Sequence, residues 1–213
     1  MGSRVGGGMA ERKRRLVADE LRDAALMLLA NRGFDMVTID DIVAAAGMSR
    51  RTFFRYYASK EDVVVRFLAD MGADVVAELA ARPRAEPPSV ALRHAVWVPI
   101  ASCAGHPDHA ERARVVVRLI LDTPALQARW LERQIQWRAG LAAGLAARHD
   151  LDPDADPYPG MAAGMALLAL DTVLRQWRAG DDERRLAELT DQAFTVVAPA
   201  LDAPAAPGVD GLR

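Results

Sequence analysis

Between residues 50 and 57 the chain reads Arg50, Arg51, Thr52, Phe53, Phe54, Arg55, Tyr56, Tyr57: three guanidinium groups interleaved with four rings. Arginine presents a planar fork that grips guanine O6 and N7, or a phosphate. On one short helix, such a row has the chemistry of an element that enters a DNA groove. Phe53 and Tyr57 stand one helical turn apart and are expected to face inward. Arg50, Arg51, Phe54 and Arg55 are then left towards the outside. Thr38, Thr52, Tyr56 and Lys60 add hydroxyl and ammonium groups suited to phosphates.

The flanking residues predict the elements that hold this row. Residues 11–32 read as a first helix, with Val17, Leu21, Ala24 and Leu28 at helical spacing and Gly33 where it ends. Thr38 opens a second helix, and Asp41 three residues on makes a capping-box-like pair. Ile39, Ile42, Val43 and Ala46 form its apolar stripe. Gly47 breaks it, because so tight a turn needs positive φ. Ser49 then caps the arginine-bearing helix. The result is a helix-turn-helix over about 38–57, its small core closed by Phe53, Tyr57, Ile39, Ile42 and Leu28.

Ser59, with Asp62 at the third position, caps a long fourth helix carrying Val63, Phe67, Met71, Val75 and Leu79, running to about Arg82. Pro83, Pro87 and Pro88 end it and make 83–88 the break in the chain. The remainder reads as helices over about 89–104, 108–122, 125–149, 160–179 and 183–201. No strand-like alternation and no repeat appears, so the fold class is all-α. Residues 1–11, Gly-rich and without an apolar leader core, are expected as a disordered arm, and 202–213 as a mobile tail.

Of 213 residues, 51% are hydrophobic, enough for a substantial core. The net charge of −2 conceals an asymmetry. Residues 1–60 hold 11 Lys and Arg against 7 Asp and Glu, and the rest hold 16 against 22. The attraction for polyanions therefore lies at one end. The single cysteine, Cys103, forbids an internal disulfide and fits a reducing cytoplasm. No apolar run approaches the roughly 18 residues of a membrane span.

The stretch V-T-I-D-D-I-V-A-A-A-G-M-S-R-R-T-F-F-R-Y-Y-A-S-K-E-D resembles the DNA-binding domain of the TetR/AcrR family of bacterial transcriptional regulators, over about residues 12–72. That resemblance implies a repressor, dimeric through its last two helices, with a small-molecule pocket in a C-terminal domain over 73–201. It implies that Thr38 and Lys60 hold phosphates and that the third helix reads bases. Here Arg51 stands where the family usually has Gly, Phe54 for Tyr, Tyr56 for His and Tyr57 for Phe. Arg51 adds a charge at a base-reading position, and Phe54 lacks the backbone-binding hydroxyl. R-R-T-F-F-R-Y resembles a branch associated with acyl-CoA-like ligands.

In the C-terminal part, residues 160–178 carry two apolar faces, and the last helix carries two more apolar rows. A helix apolar on more than one side is buried on more than one side. Met165, Leu168, Leu174, Trp177, Leu189, Phe194 and Val197 are the candidate homodimer contacts; a monomer packing both helices on its own core is the alternative. Reading a palindromic operator on double-stranded DNA with two helices requires the dimer. Trp97, Ile100, Trp130 and Trp137, with Cys103, Arg118 and Arg138, are candidate walls of an effector pocket, and an arginine there suits an anionic amphiphile. Plain core packing is the alternative for each.

Catalytic chemistry finds little support. No P-loop, G-x-S-x-G or G-x-G-x-x-G occurs. His106 and His109 flank Pro107 without a third ligand, and Asp152, Asp154 and Asp156 lack the glycine and glutamate of a calcium loop. No enzyme activity, metal or cofactor is expected. The leading expectation is a ligand-released repressor in which the fourth helix is the lever; a helical ligand binder or adaptor without DNA binding is the alternative.

Overall fold

The computed structural model describes the backbone of residues 5–104, 107–179 and 184–203, and their side chains except at 5–8, 10, 99–104, 107–112 and 184. Among the described residues the chain is helical throughout, in the order α1 (Val5–Arg32), α2 (Ile39–Ala45), α3 (Arg50–Tyr56), α4 (Lys60–Ala81), α5 (Pro88–Ala104), α6 (Pro107–Asp122), α7 (Pro124–His149), α8 (Tyr158–Trp177) and α9 (Arg184–Leu201). Helix α1 starts at Val5, so residues 5–11 are helical where a disordered arm is expected. Residues 204–213 of the expected tail lie outside the described residues.

The first four helices share one core. Leu21, Ala25 and Leu29 of α1 meet Ile42 of α2, Phe53 of α3, Tyr57, and Val63, Val64 and Leu68 of α4. Val17, Leu28 and Ile39 are only half-buried at its edge. The buried row of α1 differs from the predicted one because α1 packs on α6 as well as on α2 and α4. A helix serving two sets of neighbours needs a wider apolar arc than one stripe.

Helix α4 continues out of this bundle and packs along α5 and α7. Its close approach to α7 rests on a missing side chain. A Cβ built on the buried Gly72 falls 1.9 Å from Nε1 of Trp137. The indole therefore occupies the space that any other residue at 72 would take. Trp137 is itself buried and meets Trp130 edge-on, with ring centroids 5.2 Å apart.

The far end of α4 is fixed by a buried arginine on α7. Arg148 donates to the carbonyls of Arg82 and Glu86, each at 3.0 Å, and also to that of Pro83. These carbonyls end α4 and form the proline-rich turn that follows, and such groups need a partner when water is excluded. Ser89 donates from its backbone and its hydroxyl to Asp202 at 2.8 and 2.7 Å. Tyr158 donates to the carbonyl of Leu201 at 2.6 Å, and burial pushes its phenol up to about 12. The chain's last helix is thereby tied to the starts of α5 and α8.

Gly72→Ala forces the Trp137 indole from its place. The expected cost is about 2–3 kcal/mol of unfolding free energy, as for overpacking a dense core. Urea denaturation measures it, and adding Trp137→Phe, which removes the clashing pyrrole ring, is expected to recover part of the loss.

Candidate nucleic-acid interface and regulatory cavity

Each element of the helix-turn-helix starts as its sequence demands. The backbone N–H and hydroxyl of Thr38 both donate to Asp41 Oδ2, at 2.9 and 2.6 Å, while the Asp41 N–H returns to the Thr38 hydroxyl. These bonds from Thr38 hold the Asp41 carboxyl below its ordinary range. Gly47 takes φ +63° in the turn. Ser49 accepts from the Thr52 N–H, and the two hydroxyls lie 3.0 Å apart.

On α3 the predicted division of faces is found: Phe53 and Tyr57 are buried, Arg50, Arg51 and Arg55 are exposed, and Phe54 is 49% exposed. The arginines differ in their commitments. Arg50 reaches back to α2 and donates to both oxygens of Asp40 at 3.0 and 2.8 Å. Arg55 donates to the Tyr56 hydroxyl at 3.1 Å and lies over that ring. Arg51 has no ion pair or hydrogen bond among the described residues. It is the cation on α3 that is already free to meet an anion.

Two expected phosphate ligands are otherwise engaged. The Lys60 ammonium donates to the carbonyls of Phe34 (2.6 Å) and Val37 (3.1 Å) and sits 4.5 Å from the Phe34 ring centre. It ties the start of α4 to the turn between α1 and α2. The Thr38 hydroxyl hydrogen is spent on Asp41. The physical reason is shared: a donor beside bare carbonyls or a carboxylate at a helix start satisfies those first.

One basic element escaped the sequence reading. Arg12, Lys13, Arg14 and Arg15 form an exposed run on α1. The Tyr57 hydroxyl donates to the Ala18 carbonyl at 2.9 Å, which places the end of α3 beside α1 less than two turns from this run. Four consecutive basic residues were the signal available.

The second feature is a cavity of about 460 Å³ lying where α1 and α4 meet α6, α7 and α8. Leu26 and Met27 of α1, Phe67 and Met71 of α4, and residues of α6 line it, with Trp130, Leu174 and Trp177. Trp130, an expected effector-pocket wall, lines this cavity, and its indole N–H donates to Asp171 at 2.9 Å. The other expected walls with described side chains lie outside the lining of this cavity. Trp137 is in the α4–α7 core, Trp97 is half-buried against the core away from the cavity, and Arg118 donates to the Arg178 carbonyl at 3.0 Å. Arg138 is exposed on an outer groove with Gly160, Gly164 and Leu168. The side chains of Ile100 and Cys103, and of His106 and His109, lie outside the described residues. No metal-holding cluster occurs among the described residues.

The expected dimer contacts divide as well. Leu174 and Trp177 face the cavity, and Leu189 and Phe194 are buried in the chain's own core. Val197 is half-buried against it. Met165 and Leu168 stay on the outer face, where Leu168 is 65% and Met161 62% exposed, and Val196 of α9 is 79% exposed. Helix α8 packs on α7 and α9 of the same chain, so its broader apolar face is consumed internally and only the narrower row through Met161, Met165 and Leu168 remains.

An exposed arginine-bearing helix on a helix-turn-helix, joined through α4 to a helical domain with an apolar cavity, defines a DNA-binding transcriptional regulator with a ligand-binding domain. Comparison with known proteins agrees. Residues 21–67 match the model of bacterial regulatory proteins of the tetR family, and residues 86–202 match that of the MftR C-terminal domain. The chain is 34% identical to the transcriptional regulator MftR of Mycobacterium tuberculosis over 94% of its length and 96% of that protein's. It is 30% identical to the HTH-type transcriptional regulator TcmR of Streptomyces glaucescens, covering 92% and 89% respectively. Among solved structures it is similar to the regulator FadR from Bacillus subtilis in complex with stearoyl-CoA, with a TM-score of 0.61 at 18% identity, covering 85% of this chain and 97% of that one. The chain belongs to the TetR family of transcriptional regulators. It is a regulator and not an enzyme.

Lys60→Met removes two hydrogen bonds between α4 and the turn after α1. It is expected to lower unfolding stability by about 1–3 kcal/mol, as for hydrogen bonds made by a charged group. It is also expected to leave the salt dependence of DNA binding within about half a unit of slope, since a lost phosphate contact removes close to 1.

Proposed function

We propose that the protein is a repressor that binds a palindromic operator as a homodimer and is released when a small hydrophobic effector fills the α1–α4 cavity. The observation that carries this reading is that one helix serves both sites: α4 starts at Lys60 beside the helix-turn-helix and supplies Phe67 and Met71 to the cavity. An effector that prefers one position of α4 shifts the DNA-binding equilibrium by its differential affinity for the two states, and no more.

Arg51 is the foremost base or phosphate contact, with Arg55, Phe54, Tyr56 and Thr52 around it. Arg50 joins once DNA competes with Asp40. The run Arg12 to Arg15 meets the flanking backbone. The dimer forms through the outer row Met161, Met165 and Leu168 with Val196; Met161, Leu168 and Val196 are exposed in the single chain and Met165 is half-buried beside them. A soluble cytoplasmic protein with one DNA-binding end fits this scheme. The stearoyl-CoA held by the Bacillus subtilis FadR makes an acyl-CoA one effector to test, although at 18% identity that likeness carries the fold and not the ligand.

Selection from random duplexes with purified protein tests the reading; a two-fold symmetric consensus is expected, and an asymmetric or absent one refutes it. On the selected site, Arg51→Ala is expected to weaken binding about tenfold to hundredfold. Leu168→Glu with Val196→Glu is expected to give monomers by light scattering and to abolish two-fold-symmetric binding, while the circular dichroism of the fold is retained.

A further inference from the structure

The cavity's chemistry has a polarity that its apolar walls conceal. The charged side chains among its described lining residues are Arg22, Asp23, Asp70 and Asp74. Arg22 cannot serve an anion freely. Its guanidinium lies 2.8 Å from Asp19, 3.2 Å from Asp23 and 3.9 Å from Asp70, so three carboxylates already share one cation. Asp74, one turn beyond Asp70 on α4, adds a fourth carboxylate, with no cationic partner among the described residues. The lining carboxylates Asp23, Asp70 and Asp74 are exposed, so they stand at the mouth and not in the depth.

At the other extreme is Trp177. It is 2% exposed and forms part of the lining, and its indole Nε1 is buried without a hydrogen-bond partner among the described residues. A buried N–H left unpaired costs free energy that a ligand acceptor recovers. The rest of the described lining, Leu26, Met27, Phe67 and Met71 among it, is apolar.

We infer that the effector is an amphiphile with a positively charged, amine-type end seated at Asp70 and Asp74, an apolar body, and a hydrogen-bond acceptor reaching Trp177. This deepens the effector reading of the same cavity and rests on it. It opposes the anionic ligand that arginines 118 and 138 suggested in the sequence, because neither lines the cavity. It also sets the chain apart from an acyl-CoA binder. A polyphosphate-bearing head placed at this mouth meets the three lining carboxylates Asp23, Asp70 and Asp74 and one arginine already paired with carboxylates, which is net repulsion. The cationic end would touch α1 and α4 together, since Asp23 belongs to one and Asp70 and Asp74 to the other. Such a ligand bridges the DNA-binding bundle and the regulatory domain directly.

Three probes of equal chain length test this: dodecylamine, dodecanol and dodecanoate, below micellar concentration, with stearoyl-CoA as a fourth. Calorimetry, with the fluorescence of Trp130 and Trp177 as a second readout, gives the affinities. Dodecylamine is expected to bind about tenfold or more tightly than dodecanoate, exposed charge pairs at the mouth each being worth up to severalfold, with dodecanol between them and stearoyl-CoA weakest. In Asp70→Asn with Asp74→Asn, the amine-to-alcohol affinity ratio is expected to fall towards one, and retained dodecanol binding reports that the cavity is intact. Equal affinity for amine and carboxylate, or tighter binding of stearoyl-CoA, overturns the charge assignment while leaving the effector site standing. Binding of none of the four overturns the effector reading itself, and the charge assignment with it.

Discussion

The continuity of α4 is the constraint on which the rest of the molecule depends. Its 22 residues run unbroken from Lys60 to Ala81, about 33 Å at the rise of an α-helix. One end is held by the Lys60 ammonium on two carbonyls of the turn before α2. The other is held by Arg148, which satisfies the carbonyls around the proline turn. In between, Gly72 lets α7 lie close enough for Trp137 to fill the space beside it. An unbroken helix held at both ends in this way joins the DNA-binding bundle to the regulatory domain without an intervening loop.

Around the arginine-bearing helix α3, the donors are divided between the chain's own acceptors and the exterior. Donors near helix starts are claimed by the chain itself: Thr38 by Asp41, Lys60 by Phe34 and Val37, Arg50 by Asp40. Each such bond ties the helix-turn-helix together and, in the free chain, occupies a donor that could otherwise meet DNA. Arg51 is left uncommitted, at the position where the family usually has glycine. The exposed pair between Arg50 and Asp40 is worth at most about 1 kcal/mol, so a phosphate or a guanine competes with it easily. Pre-organisation and recognition are balanced on the same few side chains.

The cavity belongs to the same logic. It opens where α1 and α4 meet the regulatory helices, at the joint between the two parts and not deep within one of them. A ligand placed there would touch α4 and α1 of the DNA-binding bundle at once. The cavity's carboxylates and many of its apolar walls come from the same two helices, α1 and α4, with Trp130 of α7 and Trp177 of α8 added from the regulatory domain.

Much of this was legible in the chain. Helix boundaries followed from Thr38, Ser49, Ser59, Gly33, Gly47 and the prolines at 83, 87, 88 and 124, because caps, positive φ and missing amides act within a few residues. The inward turn of Phe53 and Tyr57 followed from the helical period, and the motif over 38–60 carried the family. What the sequence could not decide was which of several apolar rows each long helix turns towards its own neighbours. Leu174, Trp177, Leu189 and Phe194 fit an outer interface by periodicity, yet they lie inside. Arg118 and Arg138 sit near large residues in sequence but point away from the cavity, while Arg22, Asp23, Asp70 and Asp74, far apart along the chain, surround its mouth. Capping and periodicity are local and are written residue by residue. The facing of a two-sided helix and the charge of a cavity are sums over helices distant in sequence, and only their packing fixes them.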